Sequence, residues 1–436
     1  MLQAFWVKAG HDCLFFCLRH IMNDTELLRF LLATVALLGS AHFTGYLFQR
    51  FGLPRVVGEI CGGIVLGKTG LGYALPDIHA WLFDGFDAEP KLLAAFYWLG
   101  LILLMFTSGF TMESGRARTN LRLVVILVIG STSLPFLAGW LATTSVDFSP
   151  YQGSANNAAA LSLVVAIAVA VTSIPVISRI FLDLGIATTS FARNVLATAV
   201  AHDIILWGVL AVATSLVSAG STDGWAIVFT IVKTVVFFSL SIWIGPRLLD
   251  YLTRSRYNLV RKGSPIGWVL IICFLLAALA SILNVNVIFG ALIAGLLFGL
   301  ARHPDIETVR SRISDFSFAF FVPFYFAMVG MKLDLIAEFD PLFTLAFILF
   351  CTACQMLATV ASAKLARRGW AEAFDLGVAM NARGGPGIVL ATVALEFGII
   401  NGVFYTTLIL LAILTSLAAG SWFRRQLVCN RPPHLY

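Results

Sequence analysis

Long apolar runs with short polar interruptions make up most of the chain between residues 27 and 423. Runs of about 20 apolar residues are long enough to cross a bilayer as α-helices, and these lack the period-two alternation of barrel strands. The pattern predicts an all-α polytopic membrane protein with about thirteen transmembrane helices. The predicted spans are residues 27–49, 55–75, 93–112, 121–143, 159–180, 192–217, 225–249, 265–283, 285–301, 315–332, 341–364, 373–399 and 404–423.

Two of these spans contain residues that interrupt a helix. The span at 159–180 contains Pro175, which lacks a backbone N–H and leaves a carbonyl unpaired. The span at 373–399 has its interruption at Gly384, Gly385 and Pro386. Lipid cannot satisfy broken backbone, so both breaks are expected inside the protein. The two spans run in opposite directions, which predicts inverted repeats whose half-helix ends cross at mid-depth and form an ion site.

The distribution of positive charge predicts the orientation of the chain. Of the 29 Lys and Arg residues, 21 follow odd-numbered spans and six lie at the N-terminus or after even-numbered spans. Under the positive-inside rule, the N-terminus is outside and the C-terminus is cytoplasmic. The predicted domains are a transporter domain at 27–425 and a short cytoplasmic tail at 426–436. Residues 1–26 form an N-terminal segment, which is either interfacial or partly an extension upstream of a start at Met22.

Composition agrees with a membrane protein and excludes several other classes. The chain is 59% hydrophobic and 12% charged, which is too few charges for a soluble protein of 436 residues. The net charge of +6 is explained by topology, so a nucleic-acid partner is not expected. Most cysteines lie in or beside apolar runs, where packing is their expected role. We expect no cofactor, no resident metal and no enzymatic activity.

Asp203 and His202 lie near the middle of the span at 192–217. A carboxylate at mid-depth costs at least about 2.5–3.5 kcal/mol on insertion, so such a group usually has a function. Asp203 is the candidate for a shared proton and cation site, with a structural ion pair as the alternative. Adjacent residues on a helix point about 100° apart. His202 is therefore predicted to modulate Asp203, with a packing histidine as the alternative.

The two interruptions supply further candidates. The hydroxyls of Thr172 and Ser173 are hard oxygen donors that suit sodium or potassium; back-bonding within the helix is the alternative. We predict that Asp203 and Thr172 bind the transported metal ion. In the second interruption, Asn381 and Arg383 are predicted to modulate the site. Arg383 serves either as a counter-charge for an empty Asp203 or only to neutralise the C-terminal ends of half-helices.

Five stretches carry a resemblance to a known family. They are residues 53–60 (LPRVVGEI), 99–106 (LGLILLMF), 172–179 (TSIPVISR), 290–295 (GALIAG) and 323–331 (PFYFAMVGM). Together these make the chain resemble the monovalent cation:proton antiporter superfamily, and most of all its second family, the bacterial sodium– and potassium–proton antiporters. The resemblance covers about residues 27–425.

The resemblance implies a core around two crossed broken helices, a panel of dimerisation helices, a homodimer and elevator-like alternating access. It also implies that the aspartate of the sixth helix is essential, and this residue maps to Asp203. The preceding position is Asp, Asn or Gln in the family, whereas here it is His202. The family often places a basic residue on the tenth helix. Here the interior of the tenth span has none, and Lys332 lies near its outer end.

These observations favour a secondary antiporter that exchanges protons for Na⁺ or K⁺ in a lipid membrane, most simply a bacterial inner membrane. Without a second carboxylate at position 202, the expected exchange is electroneutral. Two alternatives remain open from the sequence, namely a potassium efflux pathway and a non-transporting membrane sensor built on the same fold.

Overall fold

A computed structural model describes residues 23–111, 120–187, 189–218, 224–254, 258–283, 287–300 and 304–429, and it consists almost entirely of helices. Most of the predicted N-terminal segment and the last seven residues of the predicted tail lie outside the described residues. A single antiparallel bridge, Gln152 to Ile400, is the extended pairing found within these ranges.

The first ten helices are α1 (Asp24–Arg50), α2 (Arg55–Leu66), α3 (Leu71–Ala74), α4 (Pro76–Phe83), α5 (Glu89–Thr111), α6 (Leu121–Ser145), α7 (Ala158–Ala170), α8 (Ile174–Asp183), α9 (Ser190–Ser218) and α10 (Gly224–Arg254). The remaining helices are α11 (Leu259–Gly263), α12 (Pro265–Ile282), α13 (Val287–Leu300), α14 (Pro304–Phe316), α15 (Val322–Met331), α16 (Pro341–Leu365), α17 (Trp370–Met380), α18 (Gly384–Glu396) and α19 (Gly402–Cys429). A 3₁₀ turn covers Ser149–Tyr151, and a π-helical segment, Ser317–Phe321, joins α14 to α15.

Several helices begin where a polar side chain caps the first turn. Asn23 and Glu26 form a capping box at the start of α1, which satisfies two backbone donors that the helix itself leaves free. Asn120, Asn157 and Asp340 accept from backbone N–H groups at the starts of α6, α7 and α16. These caps define the polar ends of apolar segments.

Every predicted span overlaps a helix or a pair of helices. Nine helical stretches in the described part of the chain are long and apolar enough to cross a membrane, so the all-helical, multi-pass class is confirmed. The count of thirteen stays a prediction. The first helix of the span predicted at 55–75 ends at Leu66, where Gly67 turns to an extended conformation against the backbone of Met331. The span predicted at 315–332 contains the π-helical segment, which the sequence pattern did not reveal.

The helices pack in two sets. The first set comprises α1, α2, α5, α12, α13 and α15, and the second comprises α6 to α9 and α16 to α19. Helix α10 packs on α9 of the second set and on α13 of the first. Glycines allow close approach within the first set: a Cβ on Gly63 would overlap the backbone of Ala327, and one on Gly330 would overlap Ile60. Both interrupted helix pairs belong to the second set.

Candidate functional site

The two interrupted helix pairs cross at their breaks. Residues 171–173 separate α7 from α8, and residues 381–383 separate α17 from α18. The Ser173 amide donates to the Ala382 carbonyl at 2.6 Å, and the Thr172 hydroxyl donates to the Met380 carbonyl at 2.6 Å. Each break therefore satisfies backbone groups that the other leaves unpaired, as lipid-buried structure requires.

The residues predicted to interrupt the helices lie just after the gaps. Pro175 is the second residue of α8, where a missing N–H is tolerated because the first turn has no intrahelical acceptor for it. Gly384, Gly385 and Pro386 are the first three residues of α18. Gly384 has a φ of +32°, which favours glycine. These residues thus open the second half-helix of each pair.

Arg383 is 1% exposed and binds carbonyls from three elements. Its guanidinium donates to Ala168 and Val169 in the last turn of α7, at 3.1 and 2.9 Å. It also donates to Cys351 of α16 at 3.0 Å and to the carbonyl and side chain of Asn381. A positive charge at the C-terminal ends of α7 and α17 is favourable because helix C-termini carry partial negative charge.

The N-terminal ends of the second half-helices are capped by hydroxyls. Ser416 of α19 accepts from the Gly384 amide at 3.0 Å, and Ser173 accepts from the Val176 amide at 3.4 Å. Thr415 also accepts from the Arg383 amide, at 3.4 Å. Thr415 and Ser416 were not among the sequence candidates, although their Thr-Ser pair in an apolar run repeats the Thr172-Ser173 pair and was a usable signal.

His202 contacts the first break directly. Its Nδ1 lies 3.4 Å from the Thr172 hydroxyl, and its Nε2 lies 3.0 Å from the Ser131 hydroxyl of α6. The ring is fully buried.

Asp203 faces a different direction from His202. Trp207, one turn later on the same face of α9, packs its ring 6.3 Å from that of Phe289 on α13. Asp203 therefore points toward the boundary between the two helix sets. It is 3% exposed, and its Oδ1 is buried without a hydrogen-bond partner among the described residues. A buried carboxylate oxygen without a partner is unfavourable in an apolar environment unless the group is protonated or binds an ion.

The structure brings Thr172, Ser173, His202 and Arg383 together at the crossing, with Asn381 beside Arg383. Asp203 follows His202 on α9 and therefore lies beside this group. No described hydrogen bond joins its carboxylate to the hydroxyls of Thr172 and Ser173. The sequence had paired Asp203 with Thr172 as ligands, and that pairing stays a prediction.

Three contacts join the two helix sets at the end of the molecule where α15 and α18 finish. Lys332 forms an ion pair with Glu396, and its ammonium group lies 4.1 Å from the centre of the Tyr97 ring. Earlier on the same two helices, the Tyr325 hydroxyl lies 3.0 Å from the Thr392 hydroxyl. The Tyr405 hydroxyl of α19 donates to the Val329 carbonyl at 3.1 Å. Lys332 is thus engaged at this end and does not reach the crossing.

Comparison with known proteins gives one family and several relatives. Residues 35–429 match the family described as sodium/hydrogen exchanger, transmembrane. The Na(+)/H(+) antiporter NhaS4 of Synechocystis is 28% identical over 91% of this chain and 96% of its own length. The Na(+)/H(+)-K(+) antiporter GerN of Bacillus cereus is 27% identical over 87% and 91% of the respective lengths.

A longer relative and a solved structure complete the comparison. The K(+)/H(+) antiporter 1 of Saccharomyces cerevisiae is 27% identical over 91% of this chain, which spans 46% of that protein. The sodium proton antiporter MjNhaP1 from Methanocaldococcus jannaschii has a similar fold, with a TM-score of 0.62 at 13% identity. The match covers 92% of this chain and 99% of that one.

Proposed function

The chain belongs to the transmembrane sodium/hydrogen exchanger family, and we propose that Asp203 is the residue through which it exchanges protons for a monovalent cation. The observation that carries this proposal is the buried, unpartnered Oδ1 of Asp203 at the boundary between the two helix sets. Proton-coupled exchange of Na⁺ or K⁺ is the activity for which the similar relatives are named. The chain is accordingly a transporter and not an enzyme.

In the proposed mechanism, the Asp203 carboxyl group binds either a proton or a cation and never both. The ionised carboxylate attracts Na⁺ or K⁺, whereas the protonated group is neutral and releases it. The crossing beside it presents the hydroxyls of Thr172 and Ser173, oxygen donors of the kind that suit these hard cations. Interrupted helices commonly supply such groups at mid-depth in transporters.

Arg383 and His202 have modulatory roles in this proposal. Arg383 supplies a fixed positive charge that keeps the crossing stable when Asp203 is ionised and empty. His202, held between Ser131 and Thr172, transmits changes on α9 to the first break. Because position 202 carries no second carboxylate, one proton is exchanged for one cation and the cycle moves no net charge.

Movement of the second helix set against the first would expose Asp203 to each side in turn. The second set holds both breaks and Asp203, and it contacts the first set through few elements, with α10 between them. We propose that the first set forms the dimerisation panel of a homodimer. The N-terminus is placed outside and the C-terminus in the cytoplasm, on the basis of the asymmetric distribution of Lys and Arg.

Proteoliposomes with a fixed pH gradient test the role of Asp203. Addition of Na⁺ or K⁺ should collapse the gradient with the wild-type protein and with Asp375→Asn. Asp375 is an equally buried carboxylate of the second set, bonded to Trp422 Nε1 at 2.8 Å. The Asp203→Asn variant should show no exchange above background, and an active variant would contradict the proposal.

The same vesicles separate the competing functions. Cation flux without proton movement would indicate a potassium efflux pathway. The absence of any flux or pH change with every alkali cation would indicate a sensor. Competition for one carboxylate also predicts that the apparent KM for the cation rises as the pH falls, at unchanged maximal rate. Net charge movement per turnover under a clamped membrane potential would exclude electroneutral exchange.

A further inference from the structure

A small cavity lies between five helices at the end of the molecule where α10 finishes and α12 begins. Its polar lining consists of Thr253 of α10, Arg261 of α11 and Trp268 of α12. Its apolar lining includes Val269, Phe298 and Val309. The volume is about 20 Å³, which is enough for one water-sized group. None of these residues belongs to the second helix set, so the cavity is separate from the crossing.

Two polar groups of this lining have no hydrogen-bond partner among the described residues. The Thr253 hydroxyl is unbonded although the residue is 6% exposed. Threonines in helices commonly bond the carbonyl four residues earlier, as Thr198 and Thr359 do in this chain. The indole Nε1 of Trp268 is also buried and unbonded. Buried polar groups are usually satisfied, so this pair indicates a place where a ligand atom binds.

The chemistry of the polar lining selects a hydrogen-bond acceptor. An indole N–H and a guanidinium only donate, and a hydroxyl can donate. Arg261 also donates to the Thr253 carbonyl at the end of α10, which holds its side chain at the cavity. A neutral acceptor would satisfy the N–H and O–H groups without using the positive charge. An anionic oxygen uses both, because charge-assisted hydrogen bonds are roughly twice as strong as neutral ones.

The charge of the surrounding chain also favours an anion. Residues 247–262 carry five basic side chains and one acidic side chain, Asp250, which is exposed. The basic residues are Arg247, Arg254, Arg256, Arg261 and Lys262. Clusters of this size directly beside a membrane helix attract anionic lipid headgroups. In the proposed orientation, this cluster lies on the cytoplasmic side of the membrane.

Exposed apolar residues indicate that this end of the molecule meets the surface of the bilayer. On α11, Leu259 and Val260 are exposed beside Arg261, a mixture that suits the lipid headgroup region. Trp243 of α10 is also exposed, and its ring centre lies 5.5 Å from Cζ of Arg247. Aromatic and basic residues are typical of the membrane interface. At this depth, the anions that a membrane presents are the phosphate groups of its lipids.

We propose that this cavity binds one oxygen of a phosphate group, presented by an anionic phospholipid or by a free phosphate ion. Trp268 Nε1 and the Thr253 hydroxyl donate to that oxygen, and the Arg261 guanidinium contacts the rest of the group. The bound phosphate joins α10, the helix between the two sets, to α12 of the first set. This site is independent of the exchange site at Asp203 and goes beyond the proposed function.

The thermal midpoint of the purified, delipidated full-length protein in detergent tests the proposal. The added ligands are phosphatidylglycerol, phosphatidylcholine and inorganic phosphate. Phosphatidylglycerol should raise the wild-type midpoint by about 2–4 °C at saturation, because a ligand that binds only the folded state stabilises it. Phosphatidylcholine has the same phosphodiester but no net charge, so its effect should be less than about half as large.

Two variants test the unbonded donors. Trp268→Phe keeps an aromatic ring and removes the N–H, and Thr253→Val removes the hydroxyl at nearly constant size. Each should raise the apparent dissociation constant for phosphatidylglycerol about tenfold, the effect of one hydrogen bond to a charged group. The matched control is Trp140→Phe on α6 of the second set, an exposed tryptophan outside the cavity lining. Its dissociation constant should equal that of the wild type.

The three ligands identify the source of the phosphate group. A midpoint shift with phosphatidylglycerol that depends on Trp268 supports a lipid, and such a shift with inorganic phosphate supports the free ion. The proposal would be overturned if neither ligand shifted the midpoint, or if phosphatidylcholine acted as strongly as phosphatidylglycerol. Equal dissociation constants for the wild type, Trp268→Phe and Thr253→Val would overturn it as well.

The binding measurement also separates this inference from the role of Asp203, since it requires no transport. Asp203→Asn should respond to phosphatidylglycerol as the wild type does. An active exchanger without a response to either phosphate ligand would overturn the phosphate site alone. An active Asp203→Asn would overturn the exchange site alone.

Discussion

Single buried residues at the crossing act through partners that lie far away in the sequence. Arg383 reaches carbonyls 214 and 215 residues earlier, in the last turn of α7, and one 32 residues earlier in α16. The sequence left two roles open for it, a counter-charge for Asp203 or a group that neutralises helix ends. Its contacts are with the helix ends and with the Cys351 carbonyl inside α16, and a longer-range electrostatic effect on Asp203 is part of the proposed function.

Replacement of Arg383 by Met should destabilise the protein strongly. The change leaves the carbonyls of Ala168 and Val169 without their donors, and each unsatisfied buried group costs about 1–3 kcal/mol. We expect a loss of about 3–5 kcal/mol in the free energy of unfolding, seen as a large drop in thermal midpoint. The control is Arg368→Met, which removes a partly exposed pair with Glu372 worth under about 1 kcal/mol. Equal midpoints for the two variants would contradict this account.

Among the elements, the interrupted helices depend on a few backbone positions rather than on their apolar surfaces. Helix α18 can begin directly at the crossing because Gly384 adopts a positive φ and leaves space for its neighbours on α8. A Cβ at this position would overlap the Val176 side chain. A Cβ added at the next residue, Gly385, would meet no neighbouring atom within 4 Å.

Alanine substitutions at these two glycines should therefore differ sharply. Gly384→Ala forces an L side chain into a left-handed conformation, which costs about 1–2 kcal/mol, and pushes α8 away from α18. We expect reduced exchange and a lower thermal midpoint. Gly385→Ala should keep both near their wild-type values, since the added methyl meets open space. The two variants are compared in the same vesicle assay, and equal effects would show that the crossing tolerates a shift.

At the scale of the whole molecule, polar contacts join the two helix sets at one end. The Lys332–Glu396 pair and the bonds of Tyr325 and Tyr405 hold the sets together at one end. In the proposed orientation this is the outer end, because Lys332 follows an even-numbered span. The proposed exchange cycle requires these contacts to break once per turnover.

Removal of the Lys332 charge should open this end more often. In a background without the native cysteines, Thr392→Cys serves as a reporter, because Thr392 is 1% exposed. Adding Lys332→Met should raise its reactivity toward an impermeant thiol reagent about two- to fivefold, as expected for a partly exposed ion pair. The charge swap K332E with E396K should restore the low reactivity. An unchanged reactivity in Lys332→Met would show that the pair does not hold the sets closed.

What the sequence determined by itself is local. The bilayer requires long apolar helices and satisfied backbone, so the spans, the two interruptions and the buried Asp203 could be predicted from neighbouring residues alone. The family resemblance, carried by short motifs such as residues 172–179, predicted the antiporter family that the comparison confirmed. Helix ends were less accurate, because a change of backbone conformation such as that at Gly67 is not visible in the hydropathy of the run.

Only the tertiary structure decided which groups meet. The bond from Ser173 to Ala382, the bonds from Arg383 to the α7 carbonyls and the ring of His42 against Ala319 join residues from about 200 to 280 positions apart. It also decided that His202 contacts the hydroxyls of Thr172 and Ser131, whereas the buried Oδ1 of Asp203 has no hydrogen-bond partner among the described residues. The physical reason is that a side chain's direction and partners depend on how helices pack, and many distant residues together determine that packing.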